Sequence, residues 1–245
     1  MFDSSPVIQL APRPEPLIVA VDGQAGAGKR VLAAGIAAAL QLPHVSVGDY
    51  FRGIAWLAEK MRIPTDADSD LGELARQAPV VAIDGAVSIS GRDISVDIRN
   101  DRFGLAASRV AASPSVRQAV RENLGRIGAE SFIISGPSVS VDYFRDAAMR
   151  FFVSCRADIR AARSGAELGI EFQRRRDQYI FRDALELGPR WQDDLRSIQP
   201  VLVSTDEGVS AEKINLALNL ILRHQFRQAA AAAEKKGGTC ANFRG

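Results

Sequence analysis

"VDGQAGAGKRVLAAGIAAAL", Val21 to Leu40, is the stretch on which the fold turns. Gly23, Gln24, Ala25, Gly26, Ala27, Gly28 and Lys29 fit the phosphate-loop pattern G-x₄-G-K. An apolar run, "LIVAVDG" (Leu17–Gly23), reads as a buried strand directly before it. An Ala/Leu-rich helix, Lys29 to Leu40, follows directly, which is the context the pattern requires. The glycines allow positive φ and close backbone approach. The loop amides and the helix N-terminus then face an anion, and Lys29 offers a point charge to the outer phosphates. One position departs from the pattern. Where Ser or Thr usually supplies a hydroxyl to Mg²⁺, this chain has Arg30, followed by Val31. Two like unit charges about 4 Å apart repel by on the order of 1 kcal/mol in water, and a divalent ion feels more. Weakened Mg²⁺ binding is therefore expected in this loop, with Arg30 turned outward or paired with a phosphate oxygen.

Outward from the loop, short β-branched runs alternate with helical stretches. "HVSVG" (His44–Gly48), "SFIISG" (Ser131–Gly136), "RFFVSC" (Arg150–Cys155) and "PVLVST" (Pro200–Thr205) read as strands. Helices fit from Gly48 to about Met61 and over Ala157–Leu168, Phe172–Glu186 and Ala211–Phe226. Strands buried on both faces and alternating with helices imply an α/β protein with a parallel sheet. "VVAIDGAVSISGRDISVDIRN" (Val80–Asn100) breaks the rhythm, with turns expected at Asp84-Gly85 and at Gly91. With the helical stretches Phe103–Ala112 and Ser115–Gly128 it reads as an inserted substrate-binding subdomain, residues 80–128. Pro-rich residues 1–16 are expected to be a disordered leader, 17–227 the phosphate-loop domain, and 228–245 a disordered tail whose alanines could extend the last helix as far as Gly237-Gly238.

Composition narrows the partners. A net charge of +2 in 245 residues gives no overall bias toward nucleic acid or membranes. Two cysteines, Cys155 and Cys240, are too few for a disulfide framework, so a reduced, cytoplasmic chain is expected. No apolar run approaches the roughly 18 residues of a membrane span. His44 and His224 are isolated, so no metal site made of protein ligands is expected. Trp56 and Trp191 read as packing residues.

With the loop, the hairpin and "SRVAASPSVRQAV" (Ser108–Val120) in hand, the chain resembles the bacterial cytidylate kinases over about Leu17–Leu222. The resemblance implies a P-loop, nucleoside monophosphate kinase-like fold, ATP with Mg²⁺ as donor and CMP or dCMP as acceptor. Ser108 and Arg117 fall on the family's positions that contact the acceptor base. In "SVGDYFR", Gly48 and Arg52 match a segment whose arginine grips substrate phosphate, while Ser46 replaces its leading aspartate. Arg160 and Arg163 match basic positions of the helix after "RFFVSC", one of which approaches nucleotide phosphates in the family; Arg160 is the candidate here. After Gly136 the family carries arginine and aspartate, and this chain has Pro137 and Ser138. The resemblance makes 17–227 a kinase-like domain with a lid region at 172–190, where the family's pattern R-D-x-x-D-x-x-R fits two registers. Arg176-Asp177 keeps the first dipeptide, whereas Arg175 and Arg182 keep the arginine spacing. The arginine register is favoured, because lid arginines neutralise charge that moves with the phosphoryl group.

Lys29, Arg175 and Arg182 are thus the expected catalytic residues. A monomer is expected. Two other readings stay open: a nucleotide-binding protein without catalysis on the same fold, and a kinase for a different small acceptor.

Overall fold

The computed structural model describes residues 16–78, 80–125, 130–168 and 171–237. The expected leader therefore lies outside the described residues except for Pro16, as do residues 238–245 of the expected tail. A first compact unit runs to Val209 and a second begins at Ser210.

The first unit opens with β1 (Ile18–Gly23), α1 (Lys29–Leu40), β2 (His44–Ser46), α2 (Val47–Met61) and α3 (Asp68–Gln77). Next come β3 (Val80–Ile83), β4 (Ala86–Ile89), β5 (Arg92–Asp93), α4 (Arg102–Ala112) and α5 (Pro114–Leu124). The chain continues through β6 (Phe132–Ser135), α6 (Val139–Asp142), β7 (Met149–Ser154), α7 (Ala157–Leu168), α8 (Phe172–Leu187), α9 (Trp191–Ile198) and β8 (Val201–Ser204). One sheet holds every strand, in the order β5-β4-β3-β2-β6-β1-β7-β8. β2, β6, β1, β7 and β8 are mutually parallel, so their carboxyl ends share one edge. Ligands of open α/β sheets sit outside that edge.

The sequence pattern explains the centre of this sheet. Val19, Ala20 and Val21 of β1 are fully buried between neighbours on both sides. Gly23 must be glycine because a Cβ there would lie 2.0 Å from the Val153 carbonyl oxygen of β7. The second strand ends in a cap: Ser46 Oγ accepts from the Asp49 amide at 3.1 Å, which starts α2.

The structure differs from the sequence expectations at several points. The 80–100 block forms three strands, and β3 pairs antiparallel with β2, so the hairpin extends the main sheet instead of forming a separate one. Alternation told which residues face inward, not which strand edge would receive them. β8, expected to be buried on both faces, is an edge strand with Leu202 turned outward, 70% exposed. α3 and α9 were not anticipated; both are short and polar, and α3 buries only Leu71, Gly72, Leu74 and Ala75.

The second unit contains α10 (Ala211–Gly237). The helix runs past residue 228, where the tail was expected to begin: its alanines do extend it, through Gly237. Among the described residues no helix is long and apolar enough to cross a membrane.

Candidate active site

The loop between β1 and α1 forms the centre of the site. Gly23, Gly26 and Gly28 have φ of 142°, 71° and 93°. Gly28 O accepts from the Leu32 amide at 3.1 Å, and no side chain caps α1. The first-turn amides of Lys29, Arg30 and Val31 therefore have no intrahelical acceptor, which is the feature an anion uses. Gln24 braces the loop: its amide donates to Val153 O at 3.1 Å, and its side-chain oxygen accepts from the Cys155 amide at 2.9 Å. Ala27 O accepts from Thr205 Oγ1 at 2.6 Å. Lys29 Nζ lies folded back on the loop, donating to Gly23 O at 2.7 Å and Gln24 O at 2.8 Å. Burial pushes its ammonium below the ordinary lysine value, against attraction from Glu186.

α8 lies across this loop. Asp183 Oδ1 accepts from the Ala25 amide at 2.8 Å. Arg160, buried on α7, donates to both Asp183 oxygens at 3.1 and 2.7 Å and to Ala25 O at 2.7 Å. Tyr179 covers Gly26, where a Cβ would meet the ring at 2.6 Å. The guanidinium carbons of Arg160 and Arg182 lie 5.1 and 5.8 Å from that ring's centre. A cleft of about 740 Å³ opens beside the loop, lined by Gln24, Cys155, Arg156, Arg160, Asp183 and Trp191 among others.

Cations gather beyond Lys29. Arg52, on α2, donates to Ile98 O at 2.8 Å. A Cβ on Gly104, in the first turn of α4, would lie 3.4 Å from Arg52 Nη2 and 3.5 Å from Arg182 Nη1. Glycine thus leaves room for two guanidinium groups. Burial lowers the Arg52 value, and repulsion from Arg182 lowers it further. Arg175 stands on the same side but is held by Asp101, at 2.7 Å. The two expected lid arginines therefore part: Arg182 joins Arg52, and Arg175 is tied to the start of α4 instead of the loop.

Ser108 is buried, and its single hydroxyl proton has two acceptors in reach, Glu186 Oε1 at 2.5 Å and Gly104 O at 3.1 Å. It accepts from Arg182 Nε at 2.9 Å, and Arg182 also reaches Glu186 at 3.1 Å. Burial works to raise Glu186, but Arg182, Lys29 and Ser108 outweigh it and hold this carboxyl below its ordinary value. Arg117 is fully engaged, donating to Ala111 O, to Asp142 and, at 2.7 Å, to Glu186 O. The two expected acceptor-base residues are thus brought together, around Glu186 on α8.

Arg30 turns outward, half-exposed, with Asp49 at 3.4 Å. Asp49 is held more firmly by Arg99, at 2.8 and 3.2 Å. Burial opposes its charge, yet Arg99 and Arg30 keep its carboxyl below the usual range. The residues present give Mg²⁺ no loop hydroxyl, and among the described residues no group of three His, Cys, Asp or Glu is placed to hold a metal. The loop does fit a nucleotide phosphate, since its glycines take positive φ and the first-turn amides of α1 have no side-chain cap.

Three charged residues escaped the sequence reading. Asp22, just before Gly23, is wholly buried and bonded to the Ser140 amide at 3.2 Å and to its hydroxyl. Burial pushes Asp22 up to about 6, against the Ser140 bonds and Lys29. Asp183 and Glu186 were visible only as charges near the lid arginines. The one available signal was their spacing: Tyr179, Arg182, Asp183 and Glu186 stand at i, i+3, i+4 and i+7, one helix face.

A phosphate loop at the carboxyl edge of a parallel sheet, facing an arginine-lined cleft under a charged helix, defines a P-loop kinase of the nucleoside monophosphate kinase type. A family model for cytidylate kinase matches residues 19–221. The chain belongs to the cytidylate kinase family. It is 37% identical to a cytidylate kinase of Citrifermentans bemidjiense, over 64% of this chain and 70% of that one. It is 38% identical to one from Geobacter sp. strain M21, over 62% and 67%. A Chromobacterium violaceum cytidylate kinase is 30% identical over 77% of this chain and 85% of its own.

Proposed function

We propose that this chain transfers the γ-phosphoryl group of ATP to CMP or dCMP, releasing ADP and CDP or dCDP, at a reduced rate. The observation that carries this is the convergence of Lys29, Arg182 and Arg52. Lys29 and Arg52 both feel the charge of Arg182, the Arg52 and Arg182 guanidinium groups lie 3.4 and 3.5 Å from one Gly104 Cβ position, and all three side chains are partly buried. Cations held together in a poorly solvated cleft are costly unless a polyanion joins them. A nucleoside triphosphate on the loop and a nucleoside monophosphate beside Arg52 supply that charge.

The acceptor atom is a phosphate oxygen that already carries negative charge, so no base must remove a proton from it. It attacks the γ-phosphorus in line as the bond to the β-phosphate oxygen breaks, and ADP leaves with that bond's electron pair. Lys29 and the loop amides position the donor, Arg52 the acceptor phosphate, and Arg182 the phosphoryl group in flight. Ser108 and Arg117 are placed for the acceptor base once α8 releases them. Mg²⁺ would supply charge neutralisation on the donor phosphates. With Arg30 in the loop it would rely on phosphate oxygens and water, which supports a reduced rate. Pro137 and Ser138, which offer neither cation nor carboxylate, support the same reading. We place the protein in the cytoplasm, acting as a monomer.

Coupled ADP-release assays with CMP, dCMP and UMP test this. Turnover is expected with CMP and dCMP and to require Mg²⁺. The competing reading, a nucleotide binder without catalysis, is favoured by the engagement of Ser108 and Arg117 with residues of this chain. It prevails if calorimetry detects CMP binding and the assay detects no turnover.

A further inference from the structure

We propose that Asp183 is a resident anion of the phosphate loop, held where a nucleotide phosphate oxygen binds, and that nucleotide enters by exchanging phosphate for this carboxylate. The proposal rests on the phosphate-loop reading above. It begins with the Ala25 peptide, which is gripped from both sides: its N–H donates to Asp183 Oδ1 at 2.8 Å and its carbonyl accepts from Arg160 at 2.7 Å. Arg160 spans both Asp183 oxygens, so the loop amide and the nearest guanidinium hold one carboxylate between them. These are the two kinds of donor that a phosphate on this loop would use.

The carboxylate comes from far along the chain and satisfies the guanidinium incompletely. Arg160 is 2% exposed, and its Nε has no hydrogen-bond partner among the described residues. A flat carboxylate presents two oxygens to this guanidinium. A tetrahedral phosphate presents three and carries more charge, so the exchange favours the nucleotide.

Asp183 does not act alone. Tyr179 sits against Gly26, and Arg182 and Glu186 reach Ser108, all from the same face of α8. Displacing Asp183 therefore also loosens the helix that occupies Ser108. Asp183 is a positioning residue in this account. It keeps the loop amide and Arg160 in place without nucleotide, at the expense of apparent donor affinity, which is reduced to the fraction of molecules in which the carboxylate has left.

Calorimetry on the full chain with ADP and with inorganic tripolyphosphate provides the test, using wild type, Asp183→Asn and Asp183→Ser, with thermal melting to verify folding. If about a tenth of wild-type molecules have the loop free, removing the charge tightens both ligands about tenfold. The second replacement covers failure of the first to fold. Unchanged or weaker affinity in a folded variant, with wild type still binding ADP, overturns this proposal alone; the carboxylate then merely braces the loop. If neither wild type nor variants bind either ligand, the phosphate-loop reading falls with it.

Discussion

The phosphate loop and the helix α8 meet at the Ala25 peptide, and they are built in opposite ways. The loop is a backbone device. Its shape depends on three glycines with positive φ, and its cation, Lys29, is anchored on carbonyls five and six residues away. α8 is a side-chain device whose partners are scattered: Asp101 for Arg175, Ser108 for Arg182 and Glu186, Arg160 and Ala25 for Asp183. A backbone device tolerates little change and announces itself in sequence. A side-chain device can be rewired, one charge at a time, while the helix stays a helix.

The largest effects should come from cutting one residue on each side of that contrast. Lys29→Ala is expected to lower kcat by about 10³-fold and Arg182→Ala by about 10²-fold, as for groups that meet developing charge. Arg175→Ala should leave kcat within a few-fold and instead lower stability by about 1–2 kcal/mol, since it removes a buried side chain tied to Asp101. CMP-dependent ADP release and thermal melts measure both. Equal kcat losses for the two lid arginines would break the division of α8 into a catalytic and a structural half.

That division also marks what could be read in advance. β1, the loop and α1 were legible because they are local: apolar run, glycines, lysine and helix are contiguous from Leu17 to Leu40. Arg52 was singled out by its short segment, and it lies beside Arg182 at Gly104. The register of the lid was not legible, because Arg176-Asp177 keeps the opening dipeptide while Arg175 and Arg182 keep the arginine spacing, and only the fold shows what each side chain meets. Arg175 and Arg182 keep their seven-residue spacing, yet Arg175 is bound by Asp101 and Arg182 by Ser108 and Glu186. Spacing places residues on a helix face; it does not say what that face meets. The role of Ser46 shows the same limit, since nothing in "SVGD" distinguishes a lost aspartate from a gained helix cap.

Smaller effects are expected from pH, and here the strand ends β1 and β2 contrast. Burial raises Asp22 to about 6 and lowers His44 to about 4. The Asp22 carboxyl is near 4 in an unfolded chain, so the folded state holds its proton more tightly. Its contribution is full below about 4 and is lost as pH rises to about 6. The imidazole runs the other way: its contribution is full above its unfolded value of about 6.5 and is lost as pH falls toward 4. Asp22→Asn should therefore gain on wild type by on the order of 2 kcal/mol between pH 4 and 6 and stay level above. His44→Gln should remove a loss of similar size on acidification. Urea melts at pH 4.5, 6 and 7.5 measure both. A flat difference for Asp22→Asn across this range would show that Ser140 and Lys29 keep the carboxyl ionised.

The smallest effect belongs to Arg30, the residue at which the loop departs from its pattern. Its guanidinium is about half-exposed and 3.4 Å from Asp49, which Arg99 holds at 2.8 Å regardless. Removing Arg30 thus strands no buried charge, and Arg30→Ser should change stability by less than about 0.5 kcal/mol. Its effect should appear only with the metal. A serine restores a hydroxyl at the first turn of α1, so ATP affinity is expected to rise a few-fold with Mg²⁺ and to stay level without it. Calorimetry in the two conditions separates these. An equal rise in both would mean that Arg30 acts by its charge or bulk. No rise in either would mean that the loop's metal affinity is set elsewhere than at position 30.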